Sequence, residues 1–386
     1  MSLGLYIHVP FCTVDCSYCH FARTSDHDAD LRRRYVAGLR RELDLRLRAC
    51  ALLRGTGRRF DTVYLGGGTP SCLEPDLMAE LWTGTVARLR RAADAEVTAE
   101  ANPETFTPDV AAAWRRLGIG RVSLGVQSLD RRLLALLGRA CAPDTARRAL
   151  ELACATFPRV AADWILGSGL RTDRLCEELD WAVDLGVEHV SLYILELHPG
   201  TALAAKVAAG RLRLPDDDEV AARYLAAASH LEQRGLRQYE VSNFARPGRE
   251  SRHNRRYWQR RPFLGLGPGA HGHWARRRYA NHATPSAWLD ALAAGRLPEA
   301  AVDRLDLPAR RLERIILGLR TREGIPAAWL PSGALDLARG EAEGLWIRRQ
   351  GRFALTPRGF LHLDTVEERV AAGLDRRPGP PAGPAG

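Results

Sequence analysis

Lysine is almost missing from this 386-residue sequence: Lys206 stands alone among 56 basic residues, the rest being arginine. A P-loop, which needs a lysine directly after its glycines, is therefore excluded. Long apolar runs are missing too, since none approaches the roughly 18 residues of a membrane-spanning helix. The opening MSLGLYIHVP has neither the basic nor the apolar region of a secretory signal, so the expected address is the cytoplasm. Eight cysteines are too few for a disulfide scaffold. Ordinary proportions of hydrophobic (46%) and charged (26%) residues exclude disorder as a description of the whole chain. The net charge of +10 is spread through helical stretches that are also rich in Ala, Gly and Leu, with no basic tract, so no nucleic-acid partner is expected.

What is present is a repeating unit. Short β-branched or apolar runs (3–9, 62–65, 96–101, 121–125, 160–166, 189–195 and 238–242) alternate with stretches of helical spacing near 30–53, 76–92, 108–117, 144–155, 173–185 and 217–234. Those are the lengths of crossovers between parallel strands. The unit predicts an α/β fold, a partial or full (β/α) barrel over residues 1–245, with an open doubly wound sheet as the competing architecture. Residues 246–285, rich in Arg, Gly, Pro, His and aromatics, read as loops beside a site. Residues 286–374 read as a smaller α+β, winged-helix-like domain: helices at 286–294 and 309–320, a hairpin at 345–348 and 352–355, and a last helix at 357–374. The tail 375–386 is compositionally disordered.

The cysteines are unevenly spread. Cys12, Cys16 and Cys19 crowd the loop leaving the first strand, at the carboxyl end where barrels place their chemistry. Zinc would want a fourth closed ligand. Iron and sulfur suit three thiolates, leaving one iron of a 4Fe-4S cluster open to chelate a small molecule. The spacing C-x3-C-x2-C, with Tyr18 before the last cysteine, resembles the signature of the radical S-adenosylmethionine (radical SAM) superfamily. That resemblance implies a radical SAM-type barrel and SAM as cofactor, bound by the open iron and reductively cleaved to a deoxyadenosyl radical. An electron donor such as flavodoxin or ferredoxin is implied with it.

After the second strand, Gly66-Gly67-Gly68-Thr69-Pro70-Ser71 forms a turn that lets backbone approach a ligand closely, since glycine has no Cβ. Polar residues at further strand ends (Glu100, Gln127, Asp163) suggest one shared pocket. Tyr6-Ile7-His8-Val9-Pro10-Phe11-Cys12, Glu100-Ala101-Asn102-Pro103 and Ser123 to Ser128 resemble the coproporphyrinogen dehydrogenase-like branch. The likeness implies that Tyr6, Gly67 and Glu100 contact a first SAM, and that Gly68, Thr69, Gln127, Arg139 and Asp163 match a second SAM site. Gly167-Ser168-Gly169-Leu170-Arg171 departs from the branch's usual Gly-Leu-Pro-Gly-Gln.

Two features choose within that branch. The dehydrogenase usually has a fourth cysteine two residues past the third, where this sequence has Phe21, and a long N-terminal extension that is not seen before the first strand here. His253-Asn254-Arg255-Arg256-Tyr257-Trp258 puts an imidazole near two aromatic rings, a combination able to ligate haem iron and pack on a porphyrin, with arginines for its propionates. The string resembles the H-N-x-x-Y-W motif of HemW-type haem chaperones, and Gly265 to Gly272 matches the same family's glycine segment. The resemblance implies haem on His253, supported by Tyr257 and Trp258, and delivery to a haem-accepting protein, respiratory and membrane-associated. Oxygen-independent coproporphyrinogen III oxidation is the first alternative and a radical haem-degrading methyltransferase the second. A winged-helix nucleic-acid binder is the alternative from another class.

Overall fold

A computed structural model describes residues 2–26, 28–49, 59–167, 169–274 and 276–375. The expectations for Cys50, for the 50–53 end of the first helix, for Ser168 and for the tail from 376 lie outside those residues. The main sheet has twelve strands: β1 (Leu3–Val9), β2 (Phe60–Gly67), β3 (Arg91–Ala101), β4 (Arg121–Gln127), β5 (Arg159–Leu166), β6 (His189–Ile194), β7 (Arg237–Gln238), β8 (Asn243–Ala245), β9 (Phe263–Leu266), β10 (His271–Trp274), β11 (Arg277–Asn281) and β12 (Glu299–Arg304). Their order is β12-β11-β10-β9-β1-β2-β3-β4-β5-β6-β8-β7, with β12 and β7 as edges, so the sheet stays open as a partial barrel. The run from β9 through β1 to β6 is parallel throughout.

The crossovers are α1 (Ala29–Ala49), α2 (Pro75–Gly84), α3 (Pro108–Arg116), α4 (Arg131–Leu136), α5 (Pro143–Thr156), α6 (Thr172–Leu185), α7 (Ala202–Ala208) and α8 (Asp217–Gln233). Strand side chains alternate, and one face carries the core: Leu5, Ile7, Val63, Leu65, Val97, Ala99, Val122 and Leu124 pack against Tyr35, Leu39, Leu81, Trp114 and Leu150 of the helices. Parallel sheets are normally apolar on both faces. Here the second face is polar, bearing Tyr6, Thr62, Tyr64, Glu96, Thr98, Glu100, Arg121 and Ser123, as a site-bearing barrel interior requires and a doubly wound sheet does not.

Three segments differ from expectation. The helix expected at 76–92 stops at Gly84, where the Thr85 hydroxyl donates to Leu81 O at 2.6 Å, and β3 starts already at Arg91. The strand expected at 238–242 is the turn of the short β7/β8 hairpin, which meets β6 antiparallel. The stretch 246–285, expected as loops, folds into α9 (Arg252–Trp258), β9, β10 and β11, and a further helix, α10 (Pro285–Ala293), begins at its end. Its glycines are packing requirements: a Cβ on Gly265 would lie 1.8 Å from His271 O, and one on Gly272 2.1 Å from the Tyr279 ring.

The remaining elements are α11 (Leu307–Leu319), β13 (Ile325–Pro326), α12 (Leu337–Ala342), β14 (Trp346–Arg349), β15 (Arg352–Leu355), α13 (Pro357–Phe360) and α14 (Leu363–Asp375). They form a small α+β unit, a three-stranded antiparallel sheet β13-β15-β14 with helices. Ile315, Leu319, Trp346, Phe353, Phe360 and Val366 make its own core. The helix α10, expected to open this unit, instead buries Trp288 and Leu292 in the main core. There α1 is tied to the far edge of the sheet: Arg46 pairs with Glu42 and Glu299 at 2.8 Å each, and the Trp288 indole donates to Glu42 at 3.0 Å.

Candidate cofactor site

The loop after β1 is anchored at both ends and in the middle. Cys12 N–H donates to Thr24 O and Thr24 N–H to Pro10 O. Ser17 N–H and hydroxyl donate to Leu137 O and Leu136 O, and Leu203 N–H donates to Ser17 O, which fixes the loop against α4 and α7. The thiols of Cys12, Cys16 and Cys19 thereby line one cavity of about 350 Å³ at the carboxyl ends of the parallel strands.

Of the expected residues, Tyr18, Gly67, Gly68, Thr69, Glu100, Gln127, Arg139 and Asp163 line the same cavity. Tyr6, His253, Tyr257 and Trp258 do not. The glycine tract is held tight from above: a Cβ on Gly67 would lie 2.5 Å from the His8 ring, and one on Gly68 2.8 Å from Pro10 C. Glycine is thus needed under the cysteine loop itself.

The cavity is charged by placement. Arg139 reaches Cys16 Sγ (3.8 Å), Asn102 Oδ1 (3.1 Å) and Gly125 O (2.9 Å). The Thr69 hydroxyl lies 3.5 Å from Cys12 Sγ. Burial pushes the Cys12 thiol up to about 11 and raises Cys16 as well, the Arg139 charge opposing it. Binding of iron by these thiols as thiolates would therefore release protons. Glu100 accepts from the Tyr64 hydroxyl at 2.6 Å and from Gly67 N–H at 3.1 Å, and burial pushes its carboxyl up to about 7. Burial likewise raises Asp163, whose carboxyl accepts from the Ser123 hydroxyl at 3.3 Å. Gln127 adopts φ +66°, and its buried Oε1 has no protein partner. Gln127 thus combines a left-handed non-glycine backbone with an orphan acceptor at the cavity wall.

These donors fit a cluster and a nucleoside-like ligand. Among the described residues no three His, Cys, Asp or Glu side chains converge as a mononuclear metal site requires. A cubane asks instead for three thiolates, each on a different iron. Glu100, Asp163 and the orphan Gln127 Oε1 supply acceptors for hydroxyl and amino groups.

His253 is elsewhere. It sits on α9, which closes the amino-terminal end of the strands: Arg252 N–H and His253 N–H donate to Glu96, and Arg256 pairs with Asp61. The imidazole is fully buried, with Nδ1 2.9 Å from the Thr62 hydroxyl and Nε2 2.9 Å from the Tyr257 hydroxyl. Burial, aided by Arg256, pushes its pKa down to about 3. In this conformation it offers iron no nitrogen, contrary to expectation, because the motif's polar groups satisfy one another inside the sheet. The ring stacks on Tyr64 (centroids 5.1 Å apart) and Tyr6 (6.4 Å), so the motif stands beneath Glu100.

Sequence reasoning missed Tyr64 and Asn102, which hold Glu100 and Arg139. It also missed the cavity rim, where His20, Phe21 and His198 meet. An aromatic residue two before a triple glycine was the available signal for Tyr64. Nothing local joins His20 to His198.

Fold and site together define a radical SAM protein, and the model of the Radical SAM superfamily matches residues 6–182. A Mycobacterium tuberculosis protein named "Heme chaperone HemW" is 41% identical over 373 residues, 94% of this chain and 93% of that one. The Escherichia coli protein of the same name is 37% identical over 273 residues, 70% of each chain. A bovine protein, "Radical S-adenosyl methionine domain-containing protein 1, mitochondrial", is 36% identical over 349 residues, 90% of this chain and 74% of its own. The chain belongs to the HemW family of the radical SAM superfamily. The E. coli coproporphyrinogen III oxidase HemN shares its fold, with TM-score 0.81 at 20% identity over 97% of this chain and 90% of that one.

Proposed function

We propose that the protein is a haem chaperone: it binds haem and a SAM-chelating 4Fe-4S cluster and passes the haem to an acceptor protein. The observation that carries this is the 41% identity, across nearly the whole chain, to a protein named for that role. Cys12, Cys16 and Cys19 would hold the cluster. Glu100, Gln127 and Asp163 would bind SAM, with Gly67, Gly68, Thr69 and Arg139 shaping the wall. When bound, cluster and SAM supply one-electron chemistry; Arg139 sets the charge beside Cys16, and the packed glycine tract keeps the loop in register. Phe21, where the dehydrogenase branch usually has a cysteine, supports a carrier over coproporphyrinogen oxidation. No helix among the described residues is long and apolar enough to cross a membrane.

The test is anaerobic reconstitution with iron and sulfide, followed by haemin titration. A saturable Soret band is expected, together with no protoporphyrinogen when coproporphyrinogen III, SAM and reductant are supplied. Failure to bind haemin, or turnover of coproporphyrinogen, would overturn the proposal.

A further inference from the structure

The helix that carries His253 is held in a way that a permanent core helix is not. Although α9 closes the amino-terminal end of the strands, neither Tyr257 nor Trp258, its two residues with apolar bodies, belongs to either hydrophobic core. Its attachments to the sheet are polar. Glu96 accepts from the Arg252 and His253 N–H groups, Arg252 donates to Asp94 O at 2.6 Å, and Arg256 pairs with Asp61 and donates to Pro262 O at 3.0 Å. Such contacts exchange for water at small net cost, whereas withdrawing an apolar face would expose surface that water does not solvate. The Trp258 indole N–H gains by leaving, since it is buried here without a hydrogen-bond partner.

Both flanks of the helix have left-handed backbone. Gly248, ahead of it, adopts φ +79° with open space where a Cβ would stand, and Arg260, just after it, is a non-glycine residue at φ +53°. The first can turn freely, and the second relieves strain by turning. The segment is also fastened to the small C-terminal unit. α9 packs against α11, Arg255 pairs with Glu323 in the turn before β13, and Arg260 pairs with Glu313 of α11.

We infer that α9 is a hinged gate, clamped shut by Glu313 and Glu323 of the C-terminal unit, and that its opening presents His253 to haem iron. The inference rests on the haem-chaperone proposal and adds the step by which an enclosed imidazole becomes available. Withdrawal of the helix breaks the 2.9 Å contact between His253 Nδ1 and the Thr62 hydroxyl and carries Tyr257 and Trp258 out with the ring, so the ligand and two flat packing surfaces arrive together. Arg252, Arg255 and Arg256 part from Asp94, Glu323 and Asp61 in the same movement and are freed for the propionates. When the gate closes, the same groups satisfy one another again. A carrier that must give up its cargo gains from a form in which the ligand is withdrawn and occupied.

The test uses the full-length protein reconstituted anaerobically, with iron content and far-UV circular dichroism recorded for every variant. Haemin is added in excess, and the ligated ferric spectrum is followed by stopped-flow Soret absorption. A gate makes the observed rate level off at the opening rate as haemin concentration rises. Glu313→Gln/Glu323→Gln is expected to raise that plateau at least fivefold, while Glu341→Gln, which removes an ion pair internal to the small unit, leaves it unchanged. Amide hydrogen exchange over residues 252–258 is expected to quicken at least tenfold when haemin is bound. This measurement needs no variant, so a double variant that fails to fold leaves the gate open to test. His253→Gly is expected to lose the wild-type ligand-field spectrum, and free imidazole to restore it. A folded double variant with the wild-type plateau, unchanged exchange over 252–258 on haemin binding, or a wild-type spectrum in His253→Gly overturns the gate and leaves the chaperone proposal standing. A wild-type protein that binds no haemin removes both.

Discussion

His253 lies stacked on Tyr64 with ring planes 27° apart, and the Tyr64 hydroxyl in turn donates to Glu100 at 2.6 Å. A motif at one end of the sheet's polar face is thereby coupled to the cavity at the other. Removing the Tyr64 hydroxyl deletes a hydrogen bond to a buried carboxyl, a loss of about 1.5–3 kcal/mol when the acceptor is charged. Tyr64→Phe is therefore expected to weaken SAM binding about tenfold. His253→Ala, which takes away the ring under Tyr64, is expected to weaken it in the same direction. The two effects are expected to be non-additive in a double-mutant cycle. Equilibrium binding of labelled SAM to the reconstituted protein checks both.

Glu100 also sets a pH dependence. Burial pushes its carboxyl up to about 7, the Tyr64 and Gly67 hydrogen bonds pulling the other way. Below its ordinary value it is protonated in both folded and unfolded chains. Between that value and 7 only the folded protein keeps the proton, so this group's contribution to stability falls as pH rises through the window and is level above it. SAM affinity is expected to move oppositely, improving from about pH 6 to about pH 8 as the carboxylate forms. Glu100→Gln should flatten both curves, as urea unfolding and SAM binding across that range would record.

Serine at Cys12, Cys16 or Cys19 should reduce bound iron from about four per chain to nearly none, because each thiolate owns one corner of the cubane. Cys154→Ser and Cys176→Ser, which lie outside the cavity, should leave iron content unchanged. Colorimetric iron and sulfide determination after anaerobic reconstitution separates the two groups.

Arg46 is a stability test independent of the cofactors. Its guanidinium and the Glu42 carboxylate are both completely buried, with Asn281 and Glu299 completing the set. Arg46→Ala strands Glu42 without its countercharge, at a cost of about 3–5 kcal/mol. Chemical denaturation should show that loss, and a Glu42→Gln/Arg46→Met pair should recover much of it.

The parallel strands β1 to β6 were legible because buried β-branched runs bounded by glycine and proline have few other uses, whereas β9, which pairs with β1 in parallel, lies in a stretch that reads as loops. The cysteine loop was legible because chemistry fixes its spacing. What escaped was non-local. Gly265 and Gly272 look like loop residues until His271 and Tyr279 are seen pressed against them. His253 carries the right ligand atom, but only the fold shows Thr62 and Tyr257 occupying it. The rim needed two loops, after β1 and β6, to meet.

The placement of β1 in the sheet has a consequence for synthesis. Its two neighbours are β2, which emerges early, and β9 at residues 263–266, so one flank of the first strand lacks its native hydrogen-bonding partner until more than two thirds of the polypeptide has left the ribosome. An uncapped strand flank is a template for intermolecular pairing. The nascent chain is accordingly most prone to aggregate during that interval, and truncations ending before residue 263 should partition into inclusion bodies.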